Sequence, residues 1–251
     1  MPDLRNQVAL ITGAGDGMGR SHALHMAGLG ADIIVNDRDA VLAERTADDV
    51  RRLGRRAHVA VADLADVQAV QEMVRAGAAA LGPIGILVNN AGFGQRIGTE
   101  DVSPQDFDRM FAVHVRGSFF CAQAVVPAMK EGRRGKIVNI SSIWGMAGAA
   151  VAPHYCAAKA ALLGLTKAWA KEFAPWNIHV NAVAPGAVMS GTPLRTYTPE
   201  VLRAKAEAIP LKRRCEPVEI SHAVAFLCSS EADFITGQVI SPNGGETIVG
   251  I

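Results

Sequence analysis

Tyr155 and Lys159 stand four residues apart in His154-Tyr155-Cys156-Ala157-Ala158-Lys159, the spacing that puts two side chains on one face of a helix. A phenol beside an ammonium is a candidate general acid/base pair, because the cation favours the phenolate and draws a tyrosine pKa from about 10 toward neutrality. Ser142 closes the apolar run Lys136 to Ile140 and Ser141, where its hydroxyl would orient a substrate carbonyl. Taken one at a time, the same residues read as a surface pair on a helix and a loop serine. Together they suit proton transfer at a carbonyl or alcohol oxygen.

A second constellation lies near the N-terminus, in Thr12-Gly13-Ala14-Gly15-Asp16-Gly17-Met18-Gly19. Glycines after a strand and before a helix permit a tight turn and let backbone N–H groups approach a pyrophosphate at the positive end of that helix. Glycines also serve any loop that needs positive φ. Asn36-Asp37 follows roughly 20 residues later, where a carboxylate accepts from ribose hydroxyls and repels a 2′-phosphate, which points to NAD over NADP. Asp also caps helices and forms turns at strand ends, and Arg38 and Arg20 leave positive charge nearby that would suit NADP. Val88-Asn89-Asn90-Ala91-Gly92 ends a further strand, with asparagines able to bond the backbone beside a cofactor.

These residues need a frame, and the chain supplies one. Short β-branched runs at Val8 to Thr12, Asp32 to Asn36, Ala57 to Ala62, Ile84 to Asn89, Lys136 to Ile140, Ile178 to Ala184 and Gln238 to Ser241 alternate with amphipathic stretches. The helical stretches are Gly17 to Leu29, Ala40 to Leu53, Val67 to Leu81, Pro104 to Met129, His154 to Phe173 and Pro217 to Cys228. Such alternation gives right-handed βαβ units, hence an α/β fold: a doubly wound, seven-stranded parallel sheet in a three-layer sandwich. No linker or repeat divides the chain, so one domain spanning residues 1–251 is expected. The segment from Gly186 to Glu216 is long and weakly periodic, the mark of a substrate loop or lid.

The 251 residues carry 25 Lys and Arg against 24 Asp and Glu, a balance without the basic footprint of nucleic-acid binding. A small molecule is the expected partner. Four cysteines show no C-x-x-C pairing, which suits reduced thiols in the cytoplasm and gives no zinc set. Apolar runs stop well short of the roughly 18 residues of a membrane span, and the first residues lack the pattern of a signal peptide. His22 and His25 share one helical face without accompanying carboxylates or thiols, so they read as exposed helix histidines, and no metal site is expected. Trp144, Met146, Phe93 and Met189 follow motif residues and are candidates to wall a substrate pocket or to pack in the core.

Thr-Gly-x-x-x-Gly-x-Gly at 12–19, Asn-Asn-Ala-Gly at 89–92, Ser142 thirteen residues before Tyr155, Tyr-x-x-x-Lys at 155–159 and Pro185-Gly186 occur in this order. The chain thereby resembles the short-chain dehydrogenase/reductase family over nearly its whole length. The resemblance implies hydride transfer between NAD(H) and a secondary alcohol or ketone, with Tyr155 as acid/base, Lys159 on the nicotinamide ribose, and Ser142 on the substrate oxygen beside Trp144. It implies that Gly13, Asp16, Gly17, Met18 and Gly19 line the pyrophosphate turn, and that Asp37 and Arg38 border the adenine ribose. Asp63 and Leu64 would flank the adenine, and Asn89, Ala91 and Gly92 the nicotinamide ribose. Pro185, Gly186, Val188 and Ser190 would anchor the carboxamide, Ser190 replacing the family's usual threonine. A homotetramer, with the helices at 104–129 and 153–173 at its interfaces, is the family's habit.

His114, in Phe111-Ala112-Val113-His114-Val115-Arg116-Gly117, departs from the resemblance, since the family places a catalytic asparagine there to help seat a relay water. Histidine either takes part in that relay, adding an ionisation near 6.5 moved by its surroundings, or merely packs while a backbone carbonyl holds the water. Two other readings remain: an NADPH-dependent 3-oxoacyl thioester reductase, and a catalytically silent dinucleotide-binding module. Intact Ser142, Tyr155 and Lys159 argue against the latter.

Overall fold

The computed structural model describes residues 2–190 and 197–249. Seven strands form one parallel sheet: β1 (Val8–Ile11), β2 (Asp32–Asp37), β3 (Ala57–Val61), β4 (Ile86–Asn89), β5 (Gly135–Ile140), β6 (Ile178–Val183) and β7 (Val239–Ile240), in the order β3-β2-β1-β4-β5-β6-β7. β1, β4 and β5 are buried along their whole length, as parallel strands covered on both faces must be. Alternate side chains enter different cores. Ala9, Ile11, Ile33 and Val35 meet α1 (Gly17–Gly28), α2 (Ala40–Arg52) and the helix Pro217–Cys228, whereas Leu10, Ile34, Leu87 and Ile137 meet α3 (Val67–Leu81) and the long helices of the other face. The chain crosses from one half of the sheet to the other between β1 and β4, the switch point at whose C-terminal edge open α/β sheets bind ligands.

Caps set the helix starts. Asp39 accepts from the N–H groups of Val41 and Leu42 at the start of α2, and Asp66 does the same for Gln68 and Ala69 at α3. Ser103 caps α4 (Pro104–Phe111), with proline in its first turn. The expected single helix from Pro104 to Met129 is interrupted. A π-helical stretch, Ala112–Arg116, separates α4 from α5 (Gly117–Glu131) and carries His114 at its centre. Such stretches often mark functional positions.

Two helices lie in stretches read as loops: α6 (Ile143–Ala147), and α8 (Pro199–Glu207) inside the expected substrate loop. Between them runs α7 (Pro153–Phe173), and α9 is the helix Pro217–Cys228. The base of the 186–216 segment is stapled by a bridge between Val188 and Cys215, and its residues 191–196 lie outside the described residues. The reading of His22 and His25 as exposed is corrected. His22 is fully buried between α1 and α9, its Nδ1 2.8 Å from the Ser221 hydroxyl, and His25 meets His222 edge to face at 4.8 Å between ring centres. Burial holds the His22 pKa down at about 3, so it packs as a neutral ring. Among the described residues no group of His, Cys, Asp or Glu is arranged to hold a metal, and no helix is long and apolar enough to cross a membrane.

Candidate active site

The catalytic candidates converge at the end of β5 and the start of α7. Ser142 caps α6, its Oγ accepting the Trp144 N–H at 3.1 Å, which leaves the hydroxyl proton free to bond a further group. Tyr155 is its neighbour: burial pushes the phenol pKa up and the Ser142 hydroxyl pulls it down, for a net value of about 12. Lys159 is buried, and its Nζ donates to the Ile140 carbonyl at 2.8 Å, 5.7 Å from the Tyr155 ring centre. Desolvation lowers Lys159 to about 7. In place of the expected depression of Tyr155 by a neighbouring cation, burial raises the phenol, and the lysine is the member of the pair brought near neutrality.

Residues that sequence reasoning passed over hold this geometry. A Cβ built on Gly145 would lie 2.7 Å from the Lys159 carbonyl carbon, so only glycine lets α6 press on α7 closely enough to bring Ser142 to Tyr155. Ser141 donates to the Lys159 carbonyl at 2.8 Å, tying the strand end to the same turn. Ala152 enters α7 in the left-handed region, with φ 61°. Trp144 and His114 close on Tyr155 edge-on, 5.9 and 5.6 Å between ring centres. Phe93 lies 5.5 Å from His114. Met189, by contrast, lines an open groove of about 1060 Å3 along α1 that also contains Asp16, Gly17, Ser190, Arg20 and Asp49.

His114 is almost fully buried, and Nε2 faces both the N–H (3.1 Å) and the carbonyl (3.0 Å) of Phe93. Either tautomer finds one partner there, while Nδ1 is buried with none. A Cβ on Gly92 would lie 2.7 Å from that Nδ1, so the ring is packed tightly against the Asn-Asn-Ala-Gly turn. Burial first, and the Lys159 charge second, hold its pKa well below the ordinary histidine value, which agrees with the packing reading of His114 rather than with an added ionisation near 6.5. The expected result is that His114→Asn leaves the pH–rate inflection set by Lys159 near 7 in place. Rate profiles of both proteins across the neutral range decide this, and disappearance of the inflection would assign it to the imidazole.

The glycine turn is built for close approach. Gly13 and Gly17 have φ of 62° and 57°, the region glycine adopts without strain. A Cβ on Gly13 would lie 2.9 Å from the Ala91 Cα, and one on Gly19 2.6 Å from the Asn90 amide nitrogen and 2.7 Å from the Gly13 carbonyl carbon. Asn90 donates to the carbonyls of Thr12 (2.8 Å) and Gly13 (3.2 Å), and the Thr12 hydroxyl accepts from the N–H groups of Asn90 and Ala91. Asp37 closes the turn from β2, one carboxylate oxygen accepting the Gly15 N–H at 3.0 Å and the other the Asp39 N–H at 3.1 Å. Backbone donors at the start of α1, in a cradle that any Cβ would fill, fit a pyrophosphate.

Three of the residues expected at the cofactor have groups engaged within the fold. The Asn89 amide is withdrawn into the sheet, donating to Asn139 Oδ1 at 2.9 Å. Leu64 is buried in the core beneath Gly117. Val188 is buried as well, and its carbonyl is gripped by Arg214. Asp63 accepts from Ala65 N–H and Arg109 (2.8 Å). Met18 packs partly against the α1 core, Arg38 is exposed, and Ser190 faces Gly17 across the turn. Pro185 accepts from Ile143 N–H at 3.1 Å. Glu246, which no motif singled out, accepts the Ala187 N–H at 3.0 Å and lies against Gly186, so the C-terminal segment braces the Pro185-Gly186 turn.

Comparison with known proteins follows the same lines. The family model described as enoyl-(acyl carrier protein) reductase matches residues 13–247. The (2S)-[(R)-hydroxy(phenyl)methyl]succinyl-CoA dehydrogenase subunit BbsD of Thauera aromatica is 39% identical over 98% of each chain. The 3-oxoacyl-[acyl-carrier-protein] reductase FabG of Thermotoga maritima is 37% identical over 98% of this chain and 99% of its own. A solved structure of a short chain dehydrogenase/reductase family protein superposes with a TM-score of 0.88 at 36% identity, covering 97% of this chain and 98% of that one.

Proposed function

The chain belongs to the short-chain dehydrogenase/reductase family, and we propose that within it the protein interconverts a secondary alcohol and its ketone with NAD(H) in preference to NADP(H). It is an oxidoreductase that uses a nicotinamide dinucleotide. The observation that carries the reading is the meeting of Ser142, Tyr155 and Lys159 at the sheet edge beside the glycine cradle. The nicotinamide, when bound, supplies or accepts the hydride. Tyr155 gives its proton to the carbonyl oxygen during reduction and takes one from the alcohol during oxidation. Ser142, its Oγ already accepting from Trp144, directs its proton to the same oxygen. Lys159, held on the Ile140 carbonyl, places an amine that is charged below about pH 7 within reach of the phenol and of a ribose.

Support for NAD(H) comes from the end of β2. Both Asp37 oxygens are fixed by backbone N–H groups, which leaves the remaining lone pairs to ribose hydroxyls and sets a full charge against a 2′-phosphate. Arg20, which would suit NADP(H), is taken up by Asp49. A preference of about tenfold or more is expected, worth roughly 1.4 kcal/mol. Initial rates over a panel of secondary alcohols with each cofactor test both parts of the reading: cofactor binding without turnover overturns the enzyme, and equal or better kcat/KM with NADP(H) overturns the preference.

The nearer alternative, a 3-oxoacyl thioester reductase, is favoured by the likeness to FabG and is tested in the same panel with acyl thioesters. The proposal further takes residues 186–216 as the substrate loop of a single domain, in a cytoplasmic homotetramer.

A further inference from the structure

Arg96 lies in the loop after β4, and its guanidinium carbon sits 5.0 Å from the centre of the Trp144 ring and 6.0 Å from that of Tyr197. Trp144 is the same residue that meets Tyr155 edge-on. Lys205 of α8 lies 5.0 Å from the Tyr197 ring centre, adding a second positive charge to this side of the crevice. Several other arginines are neutralised: Arg20, Arg52, Arg55, Arg56, Arg109 and Arg213 each meet a carboxylate, whereas Arg116, Arg133 and Arg214 are spent on backbone carbonyls. Among the described residues Arg96 has no ion pair and no side-chain hydrogen bond.

The residues on either side of Arg96 are pinned to the approach to α7. The Ile97 carbonyl accepts the Ala152 N–H at 3.1 Å. Gln95 Oε1 accepts from buried His154 Nε2 at 3.1 Å, while Gln95 Nε2 donates to Asp106 at 2.5 Å. The backbone on both sides of Arg96 is thus fixed before any ligand arrives, and its exposed side chain lies over Trp144, which cuts the ordering cost of binding. Aromatic contacts on the guanidinium leave its edge donors for a planar, bidentate acceptor.

We propose that Arg96 receives a carboxylate of the substrate, so that the protein acts on a hydroxy acid or oxo acid whose carboxylate lies a few bonds from the reacting carbon. The spacing follows from the shared neighbour: the Trp144 ring centre lies 5.0 Å from the guanidinium carbon and 5.9 Å from the Tyr155 ring centre. A phosphate at the far end of a pantetheine arm would lie much further from the reacting carbon. The proposal rests on the hydride-transfer reading above for its catalytic arm only.

The test uses the full-length protein with lactate, the secondary hydroxybutyrates and the secondary hydroxyvalerates, each beside its methyl ester. Wild type, Arg96→Gln and Arg96→Lys are compared. The wild type is expected to favour an acid over its ester by about tenfold or more in kcat/KM. That ratio falls toward unity in Arg96→Gln through the KM of the acid, and is partly restored in Arg96→Lys. An ester handled as well as its acid, or an unchanged ratio in Arg96→Gln, overturns the proposal. Calorimetric titration of the NADH-bound protein with the same pairs decides the matter without turnover. Binding of acid over ester that is lost in Arg96→Gln upholds the role of Arg96 even where no pair reacts, an outcome that would count against the hydride-transfer reading alone. Equal or absent binding overturns it.

Discussion

Tyr155→Phe is expected to lower turnover by about 100-fold or more, the usual size of a general acid/base contribution, while cofactor affinity changes little. The phenyl ring keeps the contacts with Trp144 and His114, so the crevice retains its shape and the loss reports the hydroxyl alone. Single-turnover rates with NAD(H) binding measured alongside check this, and near-normal turnover would move the chemistry elsewhere. The raised Tyr155 pKa, about 12 from burial, adds a sign to the pH dependence. A phenol that holds its proton is ready to donate, so ketone reduction runs well at neutral pH. Alcohol oxidation needs the phenolate and should rise as pH rises through the alkaline range. Parallel profiles in the two directions would contradict this assignment.

Gly19→Ala is the second large effect. Its new Cβ would meet backbone of Gly13 and the Asn90 amide, neither of which is the free end of a flexible chain. Either α1 shifts away from the sheet or the Asn90 bonds to Thr12 and Gly13 break, and both open the cradle. NAD(H) affinity should fall by about tenfold or more, with a stability loss of about 1–3 kcal/mol as for other overpacked sites. Gly28→Ala, at the end of the same helix, is the control. Nothing lies within 4 Å of its Cβ, so helix propensity alone acts and stability should rise by up to about 1 kcal/mol. Calorimetric titration and thermal melts of both variants separate the two effects. Wild-type affinity in Gly19→Ala would show that the turn does not hold the cofactor.

Much of this architecture was legible in the residues because parallel strands are continuous apolar runs and surface helices repeat every 3.6 residues. All seven strands and the helices α1, α2, α3, α7 and α9 follow from that contrast to within a few residues, whereas the single helix expected from Pro104 to Met129 divides at the π-helical stretch. The π-helical stretch at His114 was not legible, since one extra residue in a turn changes no pattern of polarity. Nor was α6, too short at Ile143–Ala147 to show a period. The burial of His22 did have a signal. It stands with Gly19, Ala23, Met26 and Ala27 on the stripe that faces the core, and the spacing outweighs the polarity of an imidazole that finds a serine partner. For the site, residue types with fixed spacing, such as Tyr155 and Lys159, could be found by motif. The residues that hold them, Gly145, Ser141 and Asn90, act through distances that only the packed chain reveals.

The central place of β1 in the sheet bears on how the protein is made. β1 pairs with β2 on one side and, through Ala9 to Ile86, Leu10 to Leu87 and Ile11 to Val88, with β4 on the other. A ribosome releases Val8–Ile11 early, yet the second neighbour of that strand emerges only after α2, β3 and α3 have been built. Until then an apolar strand has one open edge, the kind of surface that misfolds or recruits other chains. Parallel pairing across so long a separation is slow, so the nascent chain should depend on chaperone cover through this interval, and nucleotide cannot assist until β4 has docked.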